Sequence, residues 1–181
     1  MKRVAFSRIR VVVSPRDGRF GWLFAGHMRV KCALGRSGTT RDKREGDGAT
    51  PIGSFGLLQL FYRPDKGPRP RTLLPTRAIA PDDGWCDAPG DRAYNTRVKR
   101  PYPASHEEMW RGDDMYDLVV DIAYNRGGGT NSGIRKGKGS AIFMHVVRPG
   151  FTPTAGCVAL HKRDLRRLLP HLGPRTRIVI G

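Results

Sequence analysis

Acidic residues are scarce in this chain: 16 Asp and Glu stand against 33 Lys and Arg, a formal charge of +17. No apolar run approaches the roughly 18 residues of a membrane span. Cysteine is sparser still. Cys32, Cys86 and Cys157 make an odd count and contain no Cys-x-x-Cys pair, which argues against a zinc ribbon and leaves no disulfide framework to read. Internal repeats and low-complexity tracts are missing too. Met1-Lys2-Arg3 imitate the start of a signal peptide. Arg8 and Arg10 then interrupt any apolar region, and no small-residue cleavage site comes after them, so the expectation is no export signal and no anchor.

Glycine (23) and proline (14) are plentiful in the 181 residues. They imply many turns and short elements, which suits a mainly β fold better than a helix bundle. The length is that of one ordinary domain, and residues 1–181 are expected to form one, the first 25 as strands of it. Strands are predicted at 4–13, 20–25 and 28–34, a meander after the Pro15–Gly18 turn, then at 55–62, 116–124, 141–147 and 177–180. Period two puts Met28, Val30, Cys32 and Leu34 on one buried face. Residues 35–53 read as a polar loop, 63–104 as a long irregular insertion, and 125–139 as a Gly-rich loop. Ser105-His106-Glu107-Glu108 has capping-box spacing, which predicts a short helix over 106–111. Leu165, Leu168 and Leu169 recur at helical spacing behind Asp164, and Pro170 and Gly173-Pro174 end that helix.

Chemistry concentrates in one segment, from Ser140 through His145, Arg148 and Thr154-Ala155-Gly156-Cys157 to Leu160. A histidine near the end of a buried strand is followed by a Pro/Gly loop, then by a cysteine directly after a glycine and ahead of the helix. A thiol with a free pKa near ~8.5 needs help to ionise. A neighbouring imidazole takes its proton, and a helix N-terminus favours the thiolate. Gly156 keeps a side chain away from the nucleophile, so backbone N–H groups of the 155–157 turn are expected to face a developing oxyanion, each worth about 3 kcal/mol. A buried cysteine beside an unrelated histidine fits the same pattern, because sequence spacing does not establish contact.

The segment resembles the catalytic signature of YkuD-type L,D-transpeptidases, in which a histidine precedes a Ser/Thr-x-Gly-Cys element. Gly46-Asp47-Gly48-Ala49-Thr50-Pro51-Ile52-Gly53-Ser54-Phe55 is similar to the family's Thr-Pro-x-Gly-x-Phe segment. Gly84-Trp85-Cys86-Asp87 with Tyr94-Asn95, Tyr116-Asp117 and Tyr124-Asn125 look like one branch of it. The resemblance runs from roughly residue 26 to the C-terminus. It departs where Val146 stands for the usual glycine after the histidine, where the cysteine comes only twelve positions after His145, and where Val158-Ala159-Leu160 replaces the Arg or Asn of many members.

The resemblance implies a β-sandwich-like catalytic domain with one or two short helices, and a reaction that requires neither metal nor cofactor. It implies that Cys157 attacks the carbonyl of the third, diamino-acid residue of a peptidoglycan stem peptide with His145 as base, releases D-alanine, and passes the thioester to the amine of a second stem. Water in place of that amine gives an L,D-carboxypeptidase. Carbapenem-type β-lactams are implied as acylating inhibitors, and a periplasmic or wall-associated location, against the missing signal peptide. Arg148 is a candidate clamp for stem carboxylates or one surface arginine among many. Tyr124 and Asn125 either line the pocket or, for Asn125, make a turn. Ser140 either bonds near His145 or begins a strand, and Thr154 is taken with the substrate-binding residues. The group that orients His145 is either a backbone carbonyl or an acidic side chain. His161 is the alternative base but reads as a capping or surface residue. His27, His106 and His171 read as surface or packing residues, Asp82-Asp83 as a solvated turn, and Cys86 as a loop residue. Two rivals stay open: a Cys hydrolase of another class, and a basic nucleic-acid-binding module using Arg126–Lys138 and Lys162-Arg163-Arg166-Arg167. The second would be indifferent to Cys157→Ala.

Overall fold

The computed structural model describes residues 5–126 and 133–181. Val4, the expected start of the first strand, and residues 127–132 of the Gly-rich loop lie outside them. Three strands open the chain as the predicted meander: β1 (Arg8–Val13), β2 (Phe20–Ala25) and β3 (Met28–Ala33). Their alternation decides which side is inside. Ile9, Val11, Leu23, Val30 and Cys32 are buried, whereas Arg8, Arg10, Arg29 and Lys31 point to water. Gly26 makes the tight β2–β3 turn at φ +56°, a value that glycine adopts without steric cost.

The polar loop contains a two-residue pair, β4 (Thr39–Thr40) with β5 (Thr50–Pro51), and leads into the long strand β6 (Gly53–Tyr62). The region expected to be irregular holds three strands: β7 (Thr76–Ala78), β8 (Asp83–Cys86) and β9 (Arg97–Lys99). Trp85 and Cys86 are therefore strand residues. The helix predicted over 106–111 does not form either. His106–Glu108 is β10, antiparallel to β8 with Glu107 opposite Trp85. A cap is worth only ~1 kcal/mol, and here pairing with β8 and burial of Met109 outweigh it. The chain then runs through β11 (Leu118–Ile122), β12 (Phe143–Val146), β13 (Val158–Leu160), the helix α1 (Lys162–Leu168) and β14 (Arg177–Ile180).

The main sheet has the order β11-β12-β13-β3-β2-β1-β14-β6-β7, and β6 also pairs with β11. Strand β6 bridges the two ends. Its first half pairs with β14, its second half with β11, and a register shift falls at Asp121/Ile122. Eight strands thus close into a ring, with β7 outside it. The interior is one apolar cluster drawn from Ile9 through Val120, Met144 and Val158 to Ile180. Leu165 and Leu168 of α1, with Leu169 and Leu172 behind it, complete this core, as the leucine spacing predicts. The smaller sheet β10-β8-β9 lies over the outer face of β11 and β12. Trp85 meets Phe143 edge-on at 4.9 Å and Phe61 at 6.2 Å. The mainly β expectation therefore describes a closed sheet with a second layer on one side. No helix among the described residues is long and apolar enough to cross a membrane.

Candidate active site

Strands β12 and β13 run parallel and adjacent, with Met144 opposite Val158 and His145 opposite Ala159. Period two sends Met144, Val146, Val158 and Leu160 into the ring and leaves Phe143, His145, Cys157 and Ala159 on its outer face. Cys157 and His145 line the same cavity there, about 330 Å³ in volume, within the range of small-ligand sites. Cys157 is 8% and His145 3% exposed.

The turn ahead of Cys157 is held by two threonines. Thr154 Oγ1 donates to the Cys157 carbonyl at 2.7 Å and accepts the Gly156 N–H at 3.0 Å. Thr50 Oγ1 accepts the Gly35 N–H at 2.8 Å and reaches the Cys157 carbonyl at 3.5 Å. Arg36 N–H donates to the Thr154 carbonyl, and Thr154 N–H to that of Leu34. Gly156 has φ +139°, and a β-carbon on it would come within 2.9 Å of the Ala49 carbonyl oxygen. Only glycine fits that crossing. The Ala49-Thr50-Pro51 segment is thus the bed on which the cysteine turn rests. One expectation needs correcting here: the Gly156 N–H is already bonded to Thr154.

A second correction concerns the chain beyond the cysteine. Cys157 leads into β13, and α1 begins only at Lys162, so no helix N-terminus acts on the thiol. The Cys157 thiol donates to the Ala141 carbonyl at 3.2 Å, and its sulfur accepts the Phe143 N–H at 3.3 Å. Burial pushes the thiol pKa up to about 12, with the Glu107 carboxylate adding to the rise and the Phe143 N–H and Lys43 opposing it. His145 Nδ1 lies 2.8 Å from the Val146 carbonyl. A carbonyl only accepts, so Nδ1 carries the proton and Nε2 is left basic. Of the two orienting groups left open by the sequence, it is the backbone carbonyl. Burial lowers the His145 pKa to about 4; the Val146 bond opposes this, and the Arg148 and Arg111 charges add to the lowering. Both shifts run against the ion pair expected from sequence: burial favours the uncharged thiol and the uncharged imidazole.

Arg148 and Thr154 line the cavity with them, Arg148 at its exposed rim. Tyr124, Asn125 and Ser140 do not. Tyr124 Oη donates to the Lys138 carbonyl at 2.8 Å, and Asn125 Nδ2 donates to the Arg135 and Gly139 carbonyls, both at 2.9 Å. Both residues tie down the ends of the 125–139 loop. Ser140 is buried outside the cavity. Asn95 has a similar tying role: Oδ1 accepts the Trp85 indole N–H and the Ala141 N–H, and Nδ2 donates to the carbonyls of Tyr124 and Asn125.

His161 is exposed at the start of α1, makes no side-chain cap and packs on Phe151. Of the acidic pair, Asp82 is exposed, but Asp83 is buried beside Lys99 at 3.1 Å. Cys32 is inside the ring, its thiol pushed up to about 12 by burial, and Cys86 is buried in β8. Among the described residues no group of three or more His, Cys, Asp or Glu is placed to hold a metal ion.

Sequence reasoning missed Glu107, Tyr116, Arg36 and Arg111, which all line the cavity. Tyr116 sets its ring edge-on to His145 at 5.5 Å and donates its hydroxyl to Glu107. The Tyr116-Asp117 pair and the +17 charge were the available signals, but neither places a residue.

No curated protein sequence matches the chain. A solved structure, Bdellovibrio bacteriovorus Bd1075, is similar with 16% identity and a TM-score of 0.46, over 99% of this chain and 51% of that one. The chain thus spans about half the length of that protein. The family model of the YkuD L,D-transpeptidase catalytic domain matches residues 8–180. The match starts earlier than the resemblance from residue 26, in keeping with β1 and β2 being part of the closed ring. With nearly its whole length matched, the chain belongs to the YkuD family of L,D-transpeptidase catalytic domains.

Proposed function

We propose that the chain acts as a single cysteine acyltransferase domain that cross-links peptidoglycan stems outside the inner membrane. One observation carries this reading: His145 on β12 and Cys157 at the entry to the parallel neighbour β13 open into the same cavity, and His145 keeps Nε2 free of its backbone anchor. Nε2 takes the thiol proton as sulfur attacks the carbonyl carbon of the third stem residue. The tetrahedral oxyanion meets backbone N–H groups. The Gly156 N–H is satisfied by Thr154, so this role falls to Ala155 and Cys157. Collapse breaks the bond to D-alanine, whose amine takes the proton back from His145. The thioester left on Cys157 is attacked by the amine of a second stem, which loses a proton to His145 while the thiol recovers one.

Thiolate formation is uphill from the uncharged thiol and imidazole, so the proton moves as the bond forms and not before it. Gly156 and Thr154 hold the sulfur in position. Arg148 at the rim receives a stem carboxylate. Water reaching the same thioester would give L,D-carboxypeptidase activity from the same residues.

Incubation with a carbapenem followed by intact mass measurement tests the nucleophile. An adduct of one drug is expected on the wild type and none on Cys157→Ala. An unmodified wild type, or an adduct that persists in Cys157→Ala, would count against the assignment. Analysis of products from purified muropeptides then separates the outcomes: dimers mark transpeptidation, tripeptides alone mark hydrolysis.

A further inference from the structure

Four neighbouring strands, β3, β2, β1 and β14, turn apolar side chains into the ring and a face of another kind outward. Their register sets that face out in rows. Lys31, Trp22 and Val12 lie opposite one another, and Arg29, Phe24 and Arg10 form the next row. Arg8 and Arg177, also directly opposite, make a third. Val12, Trp22 and Phe24 are 36%, 37% and 38% exposed, three of the four large apolar side chains that the described residues leave open to water. All five cations are exposed. None of the four strands holds an Asp or Glu. Among the described residues no carboxylate lies within ion-pair distance of these cations.

Such a face is unfavourable with only water over it. Arg8 opposite Arg177 sets like charges across a strand pair, where they repel. Cations and rings form one surface: the Arg29 guanidinium lies over the Trp22 ring at 4.0 Å, and Lys31 Nζ over the Phe151 ring at 4.6 Å. A second copy of the chain would not relieve it, because a two-fold contact brings the same five cations together. A nucleic acid stacks its bases on open ring faces, and Arg29 covers that of Trp22. Any soluble polyanion pairs with the cations but leaves Val12 and Phe24 in water. An anionic bilayer answers both needs. Its phosphates meet the arginines and lysine, and its interface takes up the tryptophan, phenylalanine and valine between them.

We infer that this face docks the chain on an anionic phospholipid surface, as a peripheral contact that needs no spanning helix. Strand β3 is the neighbour of β13, whose Ala159 lines the cavity. Docking therefore places the cavity beside the contact, two or three strand spacings round the ring, about 10–15 Å. The surface stands apart from the acyl-transfer reading, since none of its residues lines the cavity.

Flotation of the full chain with vesicles tests the contact, using phosphatidylcholine alone and phosphatidylcholine with an equal part of phosphatidylglycerol. The chain should float with the anionic vesicles only. Arg10→Gln with Arg29→Gln should weaken that partition about thirtyfold. Arg163→Gln with Arg166→Gln removes the same charge from the exposed side of α1 and should weaken it about twofold at most. Trp22 reports its own burial: the emission should shift to the blue on anionic vesicles. Trp22→Phe, which keeps a ring in place, should still float but lose that shift. Equal flotation with both lipids, no flotation, an equal loss from the two double variants, or an unmoved Trp22 emission would overturn the proposal. Single-stranded oligothymidylate bound through this face more tightly than the vesicles would give it to a nucleic acid instead. A lipid-free dimer that Trp22→Ser with Phe24→Ser dissociates would give it to a second copy. Should a double variant fail to fold, the Trp22 emission of the wild type decides between the outcomes.

Discussion

Gly156 and His145 are positions where a single atom or proton decides the outcome. A β-carbon on Gly156 meets the Ala49 carbonyl oxygen at 2.9 Å while φ stays at +139°. Gly156→Ala should cost about 1–3 kcal/mol in denaturant unfolding. It should also lower D-alanine release by well over tenfold, since the sulfur is the next side chain along. For His145, burial lowers the folded pKa from 6.5 to about 4. As pH falls, the unfolded chain takes a proton first, so this residue's contribution is complete above pH 6.5 and is lost on the way down to about pH 4. The loss is on the order of 3 kcal/mol. Asp121 works the other way, since burial raises its carboxyl to about 6, but it is present in both chains of a comparison. Unfolding of wild type and His145→Gln across this window should therefore converge as pH falls. The acid limb of kcat/KM should have its midpoint near pH 4 and not at the usual imidazole value; a midpoint at that usual value would contradict the shift that burial imposes on the imidazole. Cys157 and His145 were legible because their segment is compact and its residue types are chemically distinctive. Glu107 was not, because in its polar surroundings it looks like part of a helix cap.

Short elements carry the site, and short elements are where sequence patterns are weakest. Strands β8, β9 and β10 have four, three and three residues, too few for a period of two to be seen against their Gly, Arg and Glu content. They form because Trp85, Met109 and Tyr116 find one apolar surface on the outside of β11 and β12. Trp85→Ala removes the ring that packs on Phe143 and Phe61 and should cost about 3–5 kcal/mol. It should also weaken substrate affinity, because Glu107, which lines the cavity, is paired directly opposite Trp85. A calorimetric melt together with peptide binding checks both. By contrast β1 to β3 and α1 were legible: their runs are long enough for alternation or helical spacing to stand out, and each buries one clear face.

Over the whole molecule the formal charge of +17 sets a field that favours anionic partners. At the cavity rim this field has local form in Arg36 and Arg148. Raising ionic strength should therefore raise KM for stems with free carboxylates and leave KM for fully amidated stems nearly unchanged, because screening acts over about 8–10 Å at ordinary salt. Arg148→Gln should reduce that salt dependence without changing kcat. Equal salt effects on the two substrates would mean that the field does not reach the site. The closed ring itself was not readable from the order of strands. Closure depends on β6 pairing with β14 through its first half and with β11 through its second, and a residue pattern does not name its partners.

Residue order alone determined the β class, the inward faces of the long strands, the leucine face of α1 and the cysteine–histidine segment, because each is a local matter of period, turn chemistry or reactive groups close together in the chain. Tertiary structure alone decided that the thiol is buried where ionisation is disfavoured, that a backbone carbonyl holds the imidazole, that β13 and not a helix comes after the cysteine, and that Glu107 and Tyr116 line the same cavity. Those depend on desolvation and on contacts between residues far apart in the chain, and distance through space is set by packing.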